Sequence, residues 1–459
     1  MSTETANAPL TPPNTKPWLI LAWSAALVWF LAQTLWRALS VEGGVDFGKH
    51  WIAARVMMTG GSPYEGELFL SFNYPLFIGF VYWPLGWFTE RQAEIIFDCL
   101  NCLWVLLGAL SLGLLLAPPV PGAPGPRPPT DGSHESALRA LRHDARRIRR
   151  SIALVWGPLV LFIMGSSQSL QRLIWSGNVD GLNVLMLCLF AVCFLRGWDK
   201  RAGVALACLP LIKVAPILFF LPVAALGRWR VLITACAMLA LYWIFLLITG
   251  WSAVEPTLYT RVLPAIPYFW KHISVGFHTS LVEAFIGWEN ITEAQYRRLV
   301  LAMNMTMMVM LCTLCWLNWN RLCSSPARLL IVSYQSFLAF SPLLEMIHVS
   351  WALPALIIGL GEWVRSRVRA TPFLIWLLVW LTVLSLDTYG QQLAQTIQLG
   401  LHPHLVKTCF LLLFIASSLW LGFSRPPDEV TSDFVTLTPT DASLVPPSSS
   451  VRSKPKGTR

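Results

Sequence analysis

Residues 231–250 read VLITACAMLALYWIFLLITG, twenty residues without a charge, preceded directly by Arg228 and Arg230. As a helix they would rise about 30 Å, the thickness of a bilayer's hydrocarbon core. The backbone finds no water in that medium, so its amides and carbonyls must pair within the segment, as a helix allows. Similar runs extend outward in both directions. Their pattern predicts spans at 18–40, 91–117, 151–167, 180–196, 202–213, 214–227, 231–250, 298–318, 329–343, 347–361, 372–388 and 404–423. The first, from Trp18 to Leu39, is too long for a signal-peptide core and has no small-residue cleavage site ahead of Asp46, so it reads as a retained span. Composition agrees: the 459 residues are 55% hydrophobic and 13% charged, with 23 Trp, 24 Phe and a mean hydropathy of +0.57. A soluble globule cannot hide that much apolar surface. The expected fold class is an all-α polytopic membrane protein of about twelve transmembrane helices, with extracytoplasmic loops and interfacial helices.

The charges orient it. The formal net charge is +10, which could signal nucleic acid, but Lys and Arg fall mostly in short connections between apolar runs, as in cytoplasmic loops. Nucleic acid is therefore not an expected partner. Pro118 to Arg150 joins a Pro-rich stretch to Arg139, Arg142, Arg146, Arg147, Arg149 and Arg150, so 118–150 reads as a cytoplasmic loop. Arg196/Lys200/Arg201, Arg228/Arg230, Arg321/Arg328 and Arg365/Arg367/Arg369 then return to the same side, each after two further spans. Residues 1–16 and 424–459, rich in Pro, Ser, Thr and charge, are expected to be disordered cytoplasmic tails, leaving 17–423 as the membrane-embedded domain. Tyr74–Phe88 is apolar but short and broken by Pro75 and Pro84. A span there would invert the topology, so an interfacial or re-entrant helix pair is expected. Segments 202–213 and 214–227 are also short and read as tilted hairpins that bring Lys213 toward the outer leaflet.

On this topology several polar residues gather on the extracytoplasmic side. Asp46 follows Gly43-Gly44, where a carboxylate could face a cavity and take a proton from an alcohol. A solvated loop residue or a helix N-cap is the equal alternative. Lys213 interrupts Cys208-Leu-Pro-Leu-Ile-Lys-Val-Ala-Pro216. An ammonium there costs several kcal/mol unless it is paired or reaches water, so it either meets a lipid phosphate or snorkels. Glu345 and His348 are spaced to share a helical face or a proton relay, against the default of a satisfied lone histidine. Cys99/Cys102 and Cys312/Cys315 are spaced as CxxC but lie in apolar runs, where cysteines serve as buried small hydrophobes. Metalloprotease, P-loop and nucleophile-elbow motifs are missing. No metal or cofactor is called for.

Several blocks in order resemble glycosyltransferase family 87. They are Asp46-Phe47 through Trp51, Ala53-Ala54, Gly61 and Pro63-Tyr64; Asn73-Tyr74-Pro75-Leu76 and Pro84-Leu85; Gly177-Asn178, Gly203 and Lys213-Val-Ala-Pro216, ending in Arg228-Trp229-Arg230; His278-Thr279-Ser280-Leu281; and Ser341-Pro342 through His348. The chain departs from the family pattern in carrying Asn178 where Gln is frequent. The resemblance implies a GT-C-like bundle. It also implies transfer of a hexose, mannose foremost, from a polyprenyl-phosphate donor to a hydroxyl of a lipid or glycan acceptor, on the extracytoplasmic side and with inversion. Asp46 is then the expected general base and His348 its helper. Lys213 and Arg261 are expected at the donor phosphate, and His50, Tyr64, Asn178, His278, Ser280 and Glu345 as substrate-binding candidates. Two other classes compete: a lipid or solute transporter built on broken helices, and an inactive lipid-binding relative.

Overall fold

In a computed structural model of the chain, the run that opened the reading is one helix, Trp229–Thr249, closed by Gly250 in the left-handed conformation. The structure describes residues 16–40, 45–68, 71–116, 157–269, 277–323, 325–340, 350–366, 412–413 and 415–420. Among these there is helix and no strand. The helices in chain order are α1 (Lys16–Leu31), α2 (Arg37–Ser40), α3 (Val45–Met58), α4 (Leu76–Tyr82), α5 (Glu90–Leu116), α6 (157–165), α7 (Gln168–Trp175), α8 (Asp180–Leu195) and α9 (Asp199–Ile212). There follow α10 (Phe220–Ala225), α11 (Trp229–Thr249), α12 (Glu255–Thr257), α13 (Leu263–Phe269), α14 (Phe277–Phe285), α15 (Glu293–Leu317), α16 (Trp319–Cys323), α17 (Pro326–Phe340) and α18 (Leu353–Ser366). Among the described residues four helical stretches, Pro17–Trp36, Glu90–Gly113, Trp229–Thr249 and Glu293–Leu317, are long and apolar enough to cross a membrane. Their outward faces carry large exposed apolar side chains such as Trp18, Ile233, Ile248 and Trp316. In water such faces would drive aggregation, whereas lipid solvates them.

The central scaffold is α5 against α8, α8 against α9 and α9 against α11. The α8–α9 hairpin turns through Gly197-Trp198, so Asp180 and Lys213 lie at one end and Asp199 at the other. With 16 and 14 residues, these helices rise about 24 and 21 Å. The predicted short segment at 202–213 begins earlier than expected, at Asp199, because Trp198 and Asp199 restart the helix directly after the turn. The segment at 214–227 is not one helix. After Lys213 the chain runs through a 3-10 turn, Ala215–Phe219, into the short α10, since Pro216 and Pro222 interrupt α-helical bonding.

Tyr74–Phe88 forms α4 followed by a 3-10 turn, Trp83–Trp87. Together they rise about 20 Å, short of the hydrocarbon core. The stretch at 251–297, between two expected spans, contains α12, α13 and α14, with a π turn between α12 and α13 and 3-10 turns before α12 and after α14. The expected span at 372–388, the loop at 118–150 and both tails, apart from Lys16 at the start of α1, lie outside the described residues. Cys102 and Cys188 are buried, but Cys99, Cys236 and Cys312 face outward. For Cys99 and Cys312 the reading as buried small hydrophobes is corrected: each sits on the exposed side of an apolar helix, where a small thiol is solvated by lipid as readily as it packs in protein.

Candidate functional site

The site begins where α3 starts. The amides of Asp46 and Phe47, which have no partner within the helix, donate to the carbonyl of Ser176 at 3.0 and 3.2 Å. Ser176 follows α7, and the chain turns there through Gly177 at φ +66°, packed against Phe47. A side chain at Gly177 would strain that backbone and strike Phe47, so the approach of α3 to this turn depends on glycine. The next residue, Asn178, is buried and donates from Nδ2 to Asp46 Oδ2 at 3.1 Å. Its Oδ1 accepts from the Asp180 amide at 3.1 Å and lies 3.5 Å from the Tyr74 hydroxyl, while its carbonyl accepts from Asn101 Nδ2 at 2.7 Å. Asp46 also pairs with Lys49 at 3.4 Å, one turn along α3, and its side chain remains 25% exposed. It is held in place yet reachable.

Asp180 opens α8 and Lys213 caps α9, and the two meet at 3.1 Å. The anion stands at the positive end of one helix dipole and the cation at the negative end of the other, so backbone electrostatics favour both. Asp180 is fully buried. The ammonium lies 5.3 Å from the Tyr74 ring centre and 5.0 Å from that of Trp351, just ahead of α18. Two aromatic faces thus hold a cation in place.

His50 lies one turn beyond Asp46 on α3 and is 1% exposed. Its ring sits 4.5 Å from Tyr74, 4.9 Å from Tyr82 and 5.9 Å from Phe72. Both ring nitrogens are without a hydrogen-bond partner among the described residues. Burial pulls its pKa from the ordinary histidine range down to about 3, against the opposing attraction of Asp46. Near neutral pH it is an uncharged imidazole with donor and acceptor capacity unspent.

Tyr64 donates to the Tyr74 carbonyl at 2.7 Å and lies 3.4 Å from Glu255 Oε2. Glu255, in α12, is fully buried and is a residue the sequence reading did not single out. Its Oε2 accepts from the Leu76 amide at 2.9 Å and its Oε1 from the Tyr259 hydroxyl at 3.1 Å. The Phe77 amide donates to the Tyr242 hydroxyl at 3.0 Å. The first turn of α4 is therefore capped from outside, by side chains of α11 and α12, and Tyr74-Pro75 is fixed with it. Burial raises the pKa of Glu255, and the hydrogen bonds from Leu76, Tyr259 and Tyr64 oppose that shift. In sequence the only hint was an acid between Val254 and Pro256 in an otherwise apolar stretch.

Asp46, His50, Tyr64, Asn178 and Lys213 thus share one network. Arg261 lies on the π turn Leu258–Val262 with its side chain exposed, while Leu258 and Val262 beside it are buried. Lys213 is held instead by Asp180, Tyr74 and Trp351. His278 is buried in α14 against Asn304 of α15, and its neighbour Thr279 pairs with Tyr296 at 3.2 Å, in a separate cluster with Trp288 and Val300. Burial lowers the His278 pKa. Ser280 lies in α14. Glu345 and His348 lie outside the described residues.

A search of curated proteins finds no match to this chain. A comparison with protein families matches residues 72–342, a stretch that contains Tyr74, Asn178, Asp180, Lys213 and Glu255, while Asp46, His50 and Tyr64 precede it and Glu345 and His348 follow it. The match covers more than half of the chain and is to glycosyltransferase family 87, to which the chain belongs.

Proposed function

We infer that the chain is a polyprenyl-phosphate-dependent hexosyltransferase of the plasma membrane, a GT-C-like bundle of about twelve helices that transfers mannose, with inversion, to a lipid or glycan hydroxyl on the extracytoplasmic side. Family membership supports glycosyl transfer to an acceptor. One observation supports Asp46 and Lys213 as its working residues: Asn178, within the family match, holds the Asp46 carboxylate at 3.1 Å, and the same residue leads through Tyr74 to Lys213.

The acceptor hydroxyl gives its proton to the Asp46 carboxylate as its oxygen attacks the anomeric carbon. The bond from that carbon to the phosphate oxygen breaks on the opposite face, and the electron pair leaves with the polyprenyl phosphate. Lys213 stabilises the charge that develops there, because an ammonium held in advance needs no reorganisation. His50, neutral and with unspent nitrogens, hydrogen-bonds a sugar or acceptor hydroxyl. His348 assists the base and Arg261 meets the phosphate from the outer surface.

The test uses purified full-length protein in detergent, radiolabelled polyprenyl-phosphate mannose, and membrane lipid as acceptor. Asp46→Asn keeps the shape of the side chain and the hydrogen bond to Asn178, so donor binding should hold while transfer falls by about 10²–10⁴-fold, the usual range for a lost general base. A variant as active as wild type removes Asp46 from this role. Binding of the donor by both proteins with no transfer by either turns the reading toward a transporter or lipid-binding subunit.

A further inference from the structure

At the end of the α8–α9 hairpin away from Asp46, a cavity of about 670 Å³ is lined by Gly197, Trp198, Asp199, Lys200, Arg201 and Arg230. Two helices start there. Gly203, one turn into α9, lies so close to α11 that a β-carbon would come within 2.6 Å of the Val231 carbonyl and the Thr234 side chain. Both contacts fall in the first turns of their helices, so α9 and α11 run parallel with their N-termini side by side. Neither N-terminus has a side-chain cap. Two positive dipole ends therefore face the same space, an arrangement that repels unless an anion sits between them.

The side chains relieve little of that imbalance. First turns favour acidic residues, yet α11 has none there and α9 has only Asp199. Asp199 is already occupied, accepting from Arg228 Nε at 3.0 Å. Arg196 and Arg201 both stack on Trp198, at 5.0 and 4.9 Å. Among the described residues no carboxylate pairs with Lys200, Arg201 or Arg230. Beside the cavity, Trp229, Ile233, Leu241, Ile244 and Ile248 form an exposed apolar stripe along α11. We propose that this cavity binds the phosphate of an anionic glycerophospholipid, its head group between the two helix N-termini and Lys200, Arg201 and Arg230, its acyl chains along the α11 stripe. Trp198 and Trp229 beside the cavity are 41% and 61% exposed, and indoles favour the boundary between head groups and chains. This site is separate from the Asp46 network and does not depend on its function.

Native mass spectrometry of the delipidated full-length chain, titrated with phosphatidylglycerol or phosphatidylcholine of the same acyl composition, tests the assignment. Wild type should bind the first lipid at least about tenfold more tightly, since each cation near the phosphate favours the anionic head group. Lys200→Gln/Arg201→Gln/Arg230→Gln should bring the two lipids within about twofold of each other. Arg297→Gln, which removes an equal kind of charge from a surface ion pair with Glu293, should keep the preference. So should Arg201→Lys/Arg230→Lys, which also guards against a triple variant that fails to fold. Equal binding of both lipids by wild type, or a preference that survives the triple variant, overturns the proposal. Glycerol phosphate without chains, binding as tightly as the lipid, overturns the lipid assignment in favour of a free-anion site.

Discussion

Asn178 uses both ends of its amide, Nδ2 toward Asp46 and Oδ1 toward the start of α8. Alanine in its place frees the Asp46 carboxylate to rotate while leaving Lys213 and Asp180 paired. The turnover number of Asn178→Ala should therefore fall by about ten- to a hundredfold with donor affinity nearly unchanged, measured as separate kcat and donor-binding constants. His50 gives a second prediction through pH. Its folded-state pKa of about 3 lies below that of the unfolded chain, so unfolding takes up a proton in the interval between them. Its contribution to stability is complete above the ordinary histidine pKa of about 6.5 and is lost as pH falls below it, by about 1.4 kcal/mol per unit. Thermal unfolding of wild type should lose about 2 kcal/mol between pH 6.5 and 5 that His50→Phe does not lose. At this scale Lys213 was legible because it interrupts an apolar stretch and Asp46 because it follows Gly43-Gly44 directly after the first span, whereas Asn178 stood out only through the family resemblance. The partner of Lys213 was not legible, because Asp180 lies 33 residues away and an acid at a helix start looks the same whether or not it is paired.

Glu255 shows why elements are harder to read than residues. It accepts from the Leu76 amide across 179 positions, so the start of α4 is determined by a side chain from another part of the chain. No local capping signal marks it: Pro75 at the N-cap offers no side-chain hydrogen bond. Glu255→Ala would orphan the Leu76 amide in a buried setting and should cost about 1–3 kcal/mol. Because α4 carries Tyr74-Pro75 at its head, the same variant should also weaken donor binding several-fold, whereas Glu255→Gln, which keeps one acceptor, should lose less of both. Equal losses in the two variants would show that α4 does not rely on this acceptor. The long apolar helices were legible because length and composition alone settle them in a bilayer. The stretch at 251–297 was not, since α12, α13 and α14 are short, α12 and α13 carry Pro256, Pro264 and Pro267, and Glu255 of α12 bonds far away in sequence to Leu76.

Across the whole molecule, the α8–α9 hairpin separates two differently charged ends: Asp46, Asn178 and the Asp180–Lys213 pair at one, and Lys200, Arg201 and Arg230 at the other. The basic clusters predict that the second end faces the cytoplasm and the first the outside. A chain lacking its native cysteines, carrying either Glu65→Cys or Lys200→Cys, tests this directly in intact cells, because both positions are exposed and neither belongs to the Asp46 network. A membrane-impermeant maleimide should label Cys at position 65 at once and at position 200 only after the membrane is opened. Labelling of both from outside would mean that the hairpin does not cross and would place the two ends in one compartment. Labelling of position 200 alone would invert the molecule and put Asp46 on the side where lipid-linked sugars would have to be presented from the cytoplasm. The expected pattern requires α8 and α9, at about 24 and 21 Å, to carry the chain across a core of about 30 Å, with the breaks at Gly197-Trp198 and Lys213-Pro216 making up the difference at the two interfaces.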